Sequence, residues 1–298
     1  MKTFFQYIKD FYFSFGFWKT VRWLVAYSYV LMRNLTLKQG RYVVQCDDFK
    51  ILTIPGDLGI SRELIFFNSH EYLTNSILKQ ELKEGMTCFD IGACIGYSTI
   101  LEAKLVGENG QVIAFEASPT NFNYLRKNVV LNRLRNVQLY SFALSDAELP
   151  KRFLVDARSN LSRIIDVKEN NPRLSESIVD VPAKTLDSFC EEHHIENLDF
   201  LRIDAEGHEA PIIKGGMKTI RRTMPMILLE LDFSIESRRI IEELRKIGYR
   251  IKYYVPNLSR LVGSQEDIRQ NLGFDDFFFQ FNRSAKRLRY DYHLILKS

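Results

Sequence analysis

Three acids placed at the ends of apolar runs, Asp90, Glu116 and Asp204, mark where this chain could do chemistry. Asp90 lies in Phe89-Asp-Ile-Gly-Ala-Cys-Ile-Gly-Tyr-Ser98, with glycines at 92 and 96. Glycine makes tight turns and lets a ligand approach the main chain closely. An apolar run, a Gly-rich turn and a following helix form a nucleotide-binding crossover. A dinucleotide fingerprint would set a pyrophosphate over that turn. Here a carboxylate would repel it, and G-x-G-x-x-G is missing. A ligand that joins a cationic centre to an adenosine fits better, and S-adenosylmethionine is the candidate. Taken alone, the stretch also reads as the strand-to-helix turn of any α/β protein.

Glu116 ends the second run, Gln111-Val-Ile-Ala-Phe-Glu116, and follows Gly96 by 20 residues. A carboxylate there can accept both hydroxyls of an adenosine ribose. The third acid opens a denser turn, Asp204-Ala-Glu206-Gly207-His208-Glu209. Glu209 reads as an acid stabilised by a helix N-terminus. Asp204 and Glu206 are crowded like charges, which raises carboxylate pKa values. Either, or His208, could take a proton from a hydroxyl that is being methylated. In-line placement of the two reactants does most of the remaining work. Asp204, Glu206, Glu209, Glu230 and Asp232 also offer hard oxygens to a divalent cation. No motif fixes their geometry, so no metal is assigned.

These residues need a scaffold, and the pattern supplies one. Residues 41–54 read as a hairpin turning at Asp47-Asp48, and 61–83 as one helix ended by Gly85. Strands at 87–91, 111–115, 136–140, 198–203, 226–231 and 249–255 alternate with helices at 96–106, 119–132, 185–194, 210–222 and 235–247. A last strand is read at Asp276–Phe281. Such alternation means a mostly parallel sheet with helices on both faces, and ligands at the carboxyl ends of its strands. The expected domains are 1–40, an aromatic helical segment; 41–84, leading into the core; and 85–298, the catalytic domain. Residues 145–186 interrupt the last with a loop and β-like runs. Its polar stretch 156–176 could close over an acceptor, with Arg158 and Arg163 gripping an anionic or sugar-like molecule. Glu230, ending the next strand, is a further candidate acceptor contact.

Bulk properties narrow the class. At 298 residues, 46% hydrophobic and 26% charged, the composition is that of a globular chain. A net charge of +4 without one dense basic patch argues against a nucleic-acid partner. The four cysteines form no C-x-x-C pair, and no secretory signal is read, so a cytoplasmic, reducing compartment is expected. Residues 1–33 are dense in Phe and Tyr and hold both tryptophans. Their longest uncharged run, Trp23 to Met32, is about half of a membrane span. Packing or homo-oligomerisation is the favoured reading, with peripheral contact to a membrane surface as the other.

With both acidic signatures in view, the chain resembles the FkbM-type family of S-adenosylmethionine-dependent methyltransferases. The resemblance rests on Phe89–Ser98, Val112-Ile-Ala-Phe-Glu-Ala-Ser-Pro119, Asn128 with Leu131-Asn132, and Ala143-Leu-Ser-Asp146. Thr185-Leu-Asp187, Ile203–Glu209 and Leu229-Glu230 extend it over residues 57–232. It implies a Rossmann-like class I methyltransferase fold, a seven-stranded sheet with its last strand antiparallel. It implies methylation of a hydroxyl oxygen on a sugar, glycan or small metabolite. It places Asp90, Gly92 and Gly96 on the methionine side of the cofactor, Glu116 on the ribose and Asp146 by the adenine. Glu71 reaches the cofactor pocket, and Asp204 and Glu206 are the active-site acids. Ala117 stands where Pro is frequent, and Cys94 where Asn is. A nicotinamide-dependent oxidoreductase and a non-catalytic membrane-associated scaffold are the alternatives.

Overall fold

The computed structural model describes Val21 and residues 42–165, 176–231, 235–256 and 292–297. The aromatic segment read over 1–40 and the strand read at Asp276–Phe281 lie outside these, Val21 apart. The hairpin forms as β1 (Val43–Cys46) and β2 (Phe49–Leu52), turning at Asp47 with φ 43°. The helix expected over 61–83 is two helices, α1 (Ile60–Phe67) and α2 (Tyr72–Glu81). Asn68 and Glu71, both left-handed at φ 56° and 48°, break it. Asn tolerates that conformation better than most residues.

The α/β rhythm then runs β3 (Thr87–Ile91), α3 (Tyr97–Val106), β4 (Gln111–Phe115), α4 (Pro119–Leu131) and β5 (Val137–Tyr140). Ser118 caps α4 and Pro119 opens it, as that pair favours. Two carboxamides of α4 stitch the hairpin to the domain. Asn128 Oδ1 accepts from Leu52 N at 2.6 Å, and its Nδ2 donates to Ile95 O at 2.8 Å. Asn132 Oδ1 accepts from Lys50 N at 2.9 Å.

The interruption holds β6 (Ala143–Leu144), β7 (Lys151–Val155), a 3-10 turn at Ser159–Leu161, β8 (Arg163–Ile164), β9 (Ser177–Val181) and β10 (Ala183–Lys184). β8, β7 and β9 form an antiparallel sheet, and β6 pairs with β10. Next come α5 (Leu186–Glu192), β11 (Phe200–Ile203), α6 (Glu209–Gly215), α7 (Met217–Thr223) and β12 (Met226–Leu231). Then follow α8 (Ile235–Lys246), β13 (Arg250–Pro256) and β14 (Tyr292–Lys297). The helix expected over 210–222 is thus also two, parted at Gly216.

The central sheet has seven strands in the order β13-β14-β12-β11-β3-β4-β5. β14 alone runs antiparallel to its neighbours. The chain is therefore a mostly parallel α/β sheet of the Rossmann-like class, and its order reverses beside β3. Side chains alternate across such a sheet. Phe89, Phe115, Leu201 and Ile203 face α5, α6 and α8 through Phe189, Ile212 and Leu244. Cys88, Val112 and Phe200 face the other way, onto α3, the hairpin and α1 through Ile100, Phe49 and Leu64. By the same alternation Asp90, Glu116, Arg202, Asp204 and Glu230 belong to this second face.

Candidate active site

A cavity of about 310 Å³ opens at the carboxyl ends of β3, β4, β11 and β12. Gly92, Ala93 and Cys94 form its floor after β3, and Glu116, Ala117 and Asn121 one side. Asp204, Glu206, His208 and Glu230 form the other. Glu63, His70 and Glu71 come from α1 and the break that follows it, and Ser159 to Ser162 from the 3-10 turn. Phe142, Leu144, Phe153 and Ile164 add apolar wall. Gly92 is required there. It holds φ 83°, and a Cβ on it would lie 1.8 Å from the Asp204 carbonyl oxygen. The two acidic turns meet at that glycine.

Glu116 is nearly buried, and both its oxygens accept from main chain. Cys94 N donates to Oε2 at 2.7 Å and Ser118 N to Oε1 at 2.6 Å. Burial outweighs both donors and pushes the carboxyl up to about 7.

The β11–β3 register sets Arg202 directly opposite Asp90. Both are buried. Arg202 Nη1 donates to Asp90 Oδ1 at 3.0 Å, and Nη2 bonds Asp204 Oδ2. Nη2 also lies 3.9 Å from Glu71 Oε2. Burial works to lower the guanidinium pKa, but Asp204, Asp90, Glu71 and Glu102 outweigh it and hold it above the usual value. Thr99 Oγ1 donates to the second Asp90 oxygen at 2.5 Å. The structure gives Asp90 buried partners rather than a face on the cavity. It is 0% exposed, lies outside the cavity wall and has both oxygens engaged. Asp90 anchors Arg202, and Arg202 in turn holds Asp204 and Glu71.

Asp204, Glu206 and Glu230 each present an oxygen within 4.8 Å of the others. Burial, the Asp204, Glu71 and Glu206 charges and a hydrogen bond with Asp204 push Glu230 well above the ordinary carboxyl range. Its carboxyl thus holds a proton more readily than a free one, beside Asp204. The same oxygens are the set that could ligate a hard cation among the described residues. His208 lines the cavity, with Nε2 3.0 Å from Ser145 Oγ. Burial, then Lys151, lowers its pKa to about 4, so it is neutral near pH 7 and a poor proton acceptor. Glu209 accepts from Ala205 N at 3.0 Å and Gly207 N at 3.1 Å, and so shapes the turn. Glu71 does reach the cavity, because the helix breaks there.

Residues 90–251, more than half of the chain, match the model of the Methyltransferase FkbM domain. The chain belongs to the FkbM methyltransferase family. It is an S-adenosylmethionine-dependent methyltransferase. One curated relative, "Probable cobalt-precorrin-6B C(15)-methyltransferase (decarboxylating)" of Sulfolobus acidocaldarius, is 30% identical over 172 residues, 56% of this chain and 87% of that protein. Another, Methyltransferase 1 of Beauveria bassiana, is 23% identical over 184 residues, 57% and 72% of the two chains. Among solved structures, Aeropyrum pernix fibrillarin with natively bound S-adenosyl-L-methionine aligns with TM-score 0.41 and 13% identity, over 87% and 83% of the two chains.

The cavity of this FkbM methyltransferase fits that donor. Among the described residues, Arg202 is the one arginine lining it, no lysine does, and carboxylates predominate among its charged groups. A sulfonium and an ammonium group suit such a wall, and a pyrophosphate does not. Besides Asp90, four residues expected at the site stand outside the cavity wall. Gly96, at φ 93°, packs on Leu125, where a Cβ would lie 2.6 Å from Cδ1. Asp146 pairs with Lys214 at 2.8 Å and Lys151 at 3.8 Å. Arg158 pairs with Asp156 beside it in sequence, and Arg163 is in β8. From the loop of 156–176, uncharged Ser159, Asn160 and Ser162 reach the wall instead. Arg202 and His70 were not anticipated. His70 Nδ1 lies 2.8 Å from Glu63 Oε2 and Nε2 3.6 Å from Glu71 Oε1. Burial tends to lower its pKa, but Glu71, Glu63 and Asp204 raise it overall.

Proposed function

We propose that this methyltransferase acts on a hydroxyl oxygen of a small molecule, sugar or glycan. The observation that carries the reading is the Asp204–Glu206–Glu230 cluster at the ends of two adjacent strands. Bound S-adenosylmethionine supplies an electrophilic methyl group. An acceptor hydroxyl that takes the methyl must give up a proton, and these carboxylates sit where it can go. Arg202 holds Asp204 in place, and Glu230, whose pKa is raised, hydrogen-bonds with it. Paired carboxylates that divide one proton are established acid–base machinery. Glu116 would hold the ribose, and Gly92 the main-chain approach to the donor. The apolar wall of Phe142, Phe153 and Ile164 would exclude water from the acceptor side. Carboxylates around the cavity would repel a phosphate backbone, which favours a small acceptor over nucleic acid.

Incubation of the full chain with 13C-methyl-labelled donor and a panel of hydroxylated metabolites and glycans tests this. NMR of the labelled product distinguishes an O-methyl from a C-methyl carbon. A new O-methyl ether supports the proposal. Label on carbon, or only in an added RNA fraction, overturns it.

A further inference from the structure

The turn at Ser159–Leu161 is a part of the wall that the acid cluster does not account for. Asp57 clasps it with both carboxylate oxygens. Oδ1 accepts from Ser159 N at 2.9 Å and Gly59 N at 2.8 Å, and Oδ2 from Ser159 Oγ at 2.8 Å and Ser61 N at 2.9 Å. Opposite, Asn121 Nδ2 donates to the Ser159 carbonyl at 2.9 Å. Ser159 Oγ also lies 3.9 Å from the sulfur of Cys94, whose N–H serves Glu116. Segments far apart in sequence thus fix one short turn at the Glu116 end of the cavity.

That turn presents Asn160 to the cavity. Its Oδ1 is buried, and no described residue donates to it. A buried carbonyl oxygen without a donor is destabilising. Oδ1 lies against Gly59, where a Cβ would fall 2.1 Å from it, so the oxygen is closed off and the amide nitrogen is the end a ligand can reach. The Asp57 clasp and Gly59 therefore hold in place a carboxamide that bonds no described residue.

We infer that Asn160 is a donor-binding residue whose carboxamide hydrogen-bonds the nucleoside half of S-adenosylmethionine beside Glu116. This rests on the reading of the cavity as the donor site. The amide nitrogen donates, and ribose hydroxyl oxygens accept. Asp57 acts through Ser159 and is a positioning residue.

Titration calorimetry with S-adenosylmethionine on the full chain and on Asn160→Ala, with ligand-free thermal melts of both, tests the inference. The expected result is an affinity about 3- to 10-fold weaker, the loss of one hydrogen bond. The ligand-free Tm should hold or rise, because no protein bond to the oxygen is lost. Unchanged affinity overturns the inference and leaves the donor site standing. A ligand-free Tm lowered by more than about 3 °C shows a structural role and also overturns it. A wild-type chain that does not bind the donor overturns the donor-site reading and this inference with it.

Discussion

Asp90→Ala separates two roles that a strand-end acid can have, holding a ligand or holding the fold. Asp90 accepts from Arg202 Nη1 at 3.0 Å and from Thr99 Oγ1 at 2.5 Å, at 0% exposure. Truncation leaves the Arg202 guanidinium buried with one carboxylate fewer. Removing one partner of a buried ion pair costs about 3–5 kcal/mol. That is a large share of the ~5–15 kcal/mol by which a domain is stable. At about 2–4 °C per kcal/mol for a chain of this size, the ligand-free Tm should fall by roughly 6–20 °C. Asp90→Asn keeps an acceptor for Arg202 and should fall less. Differential scanning fluorimetry reads the shift. Titration of the folded protein in the cold should then find donor affinity within about threefold of wild type, under ~0.7 kcal/mol. A Tm that stays put while donor affinity drops about a hundredfold would refute the reasoning and return Asp90 to the ligand.

Glu116 makes the opposite case. Its folded pKa of about 7 lies above the ordinary 4.5. The folded state therefore binds the proton more tightly, and its contribution to ligand-free stability is lost as pH rises from about 4.5 to 7. Ribose hydroxyls donate to the ionised form, so donor affinity should climb roughly tenfold from pH 6 to 8. Glu116→Gln should bind more weakly and lack that component of the climb; an unaltered pH profile in this variant counts against the ribose role. Asp204→Asn should lower kcat by about 10²–10⁴ with donor affinity little changed. Glu230→Gln, which can still donate to Asp204, should lose less than about tenfold. Near-normal turnover by Asp204→Asn removes the proposed base. His208→Ala should keep the shape of the pH–rate profile above pH 6, since His208 titrates at about 4. Disappearance of an ionisation between 6 and 7 in that variant would contradict its neutral state.

Much of the fold was legible because apolar runs and turn residues agree locally. β3 and β12 fall where the runs place them, and Ser118-Pro119 marks the start of α4. The break between α1 and α2 was not legible, because 61–83 contains neither Gly nor Pro and one Asn carries the signal. That single break brings His70 and Glu71 to the cavity. Arg202 did leave a trace, a charge inside the apolar run Phe200-Leu-Arg-Ile203. Arginine is almost never fully buried without a partner, so a paired acid was implied. Which acid depends on the β11–β3 register, a pairing across 112 residues that one sequence does not reveal. What the loop of 156–176 brings to the cavity was not legible for a similar reason. Its arginines are conspicuous in sequence, but what fixes the turn that carries Asn160 is Asp57, bonded to Ser159 across 102 residues.

The register also changes where the cavity gets its preference for a cation. Asp90 is the acid whose position in sequence suggested that preference, yet its charge is spent on Arg202. Arg202 divides one positive charge among Asp90, Asp204 and Glu71, and His70 faces both Glu63 and Glu71. Acids therefore outnumber bases around the cavity, even with Glu230 neutral. A positive ligand relieves that excess, and its relief is strong because the groups are removed from water. In the proposed reaction the acceptor's proton reaches a carboxylate as the donor's positive charge disappears. The charge within the cavity is then the same before and after transfer. A cluster that lost a cation without gaining a proton would be left with more repulsion than it began with. The placement of three carboxylates, one with a raised pKa, beside a single shared arginine suits a site that must exchange one positive charge for another.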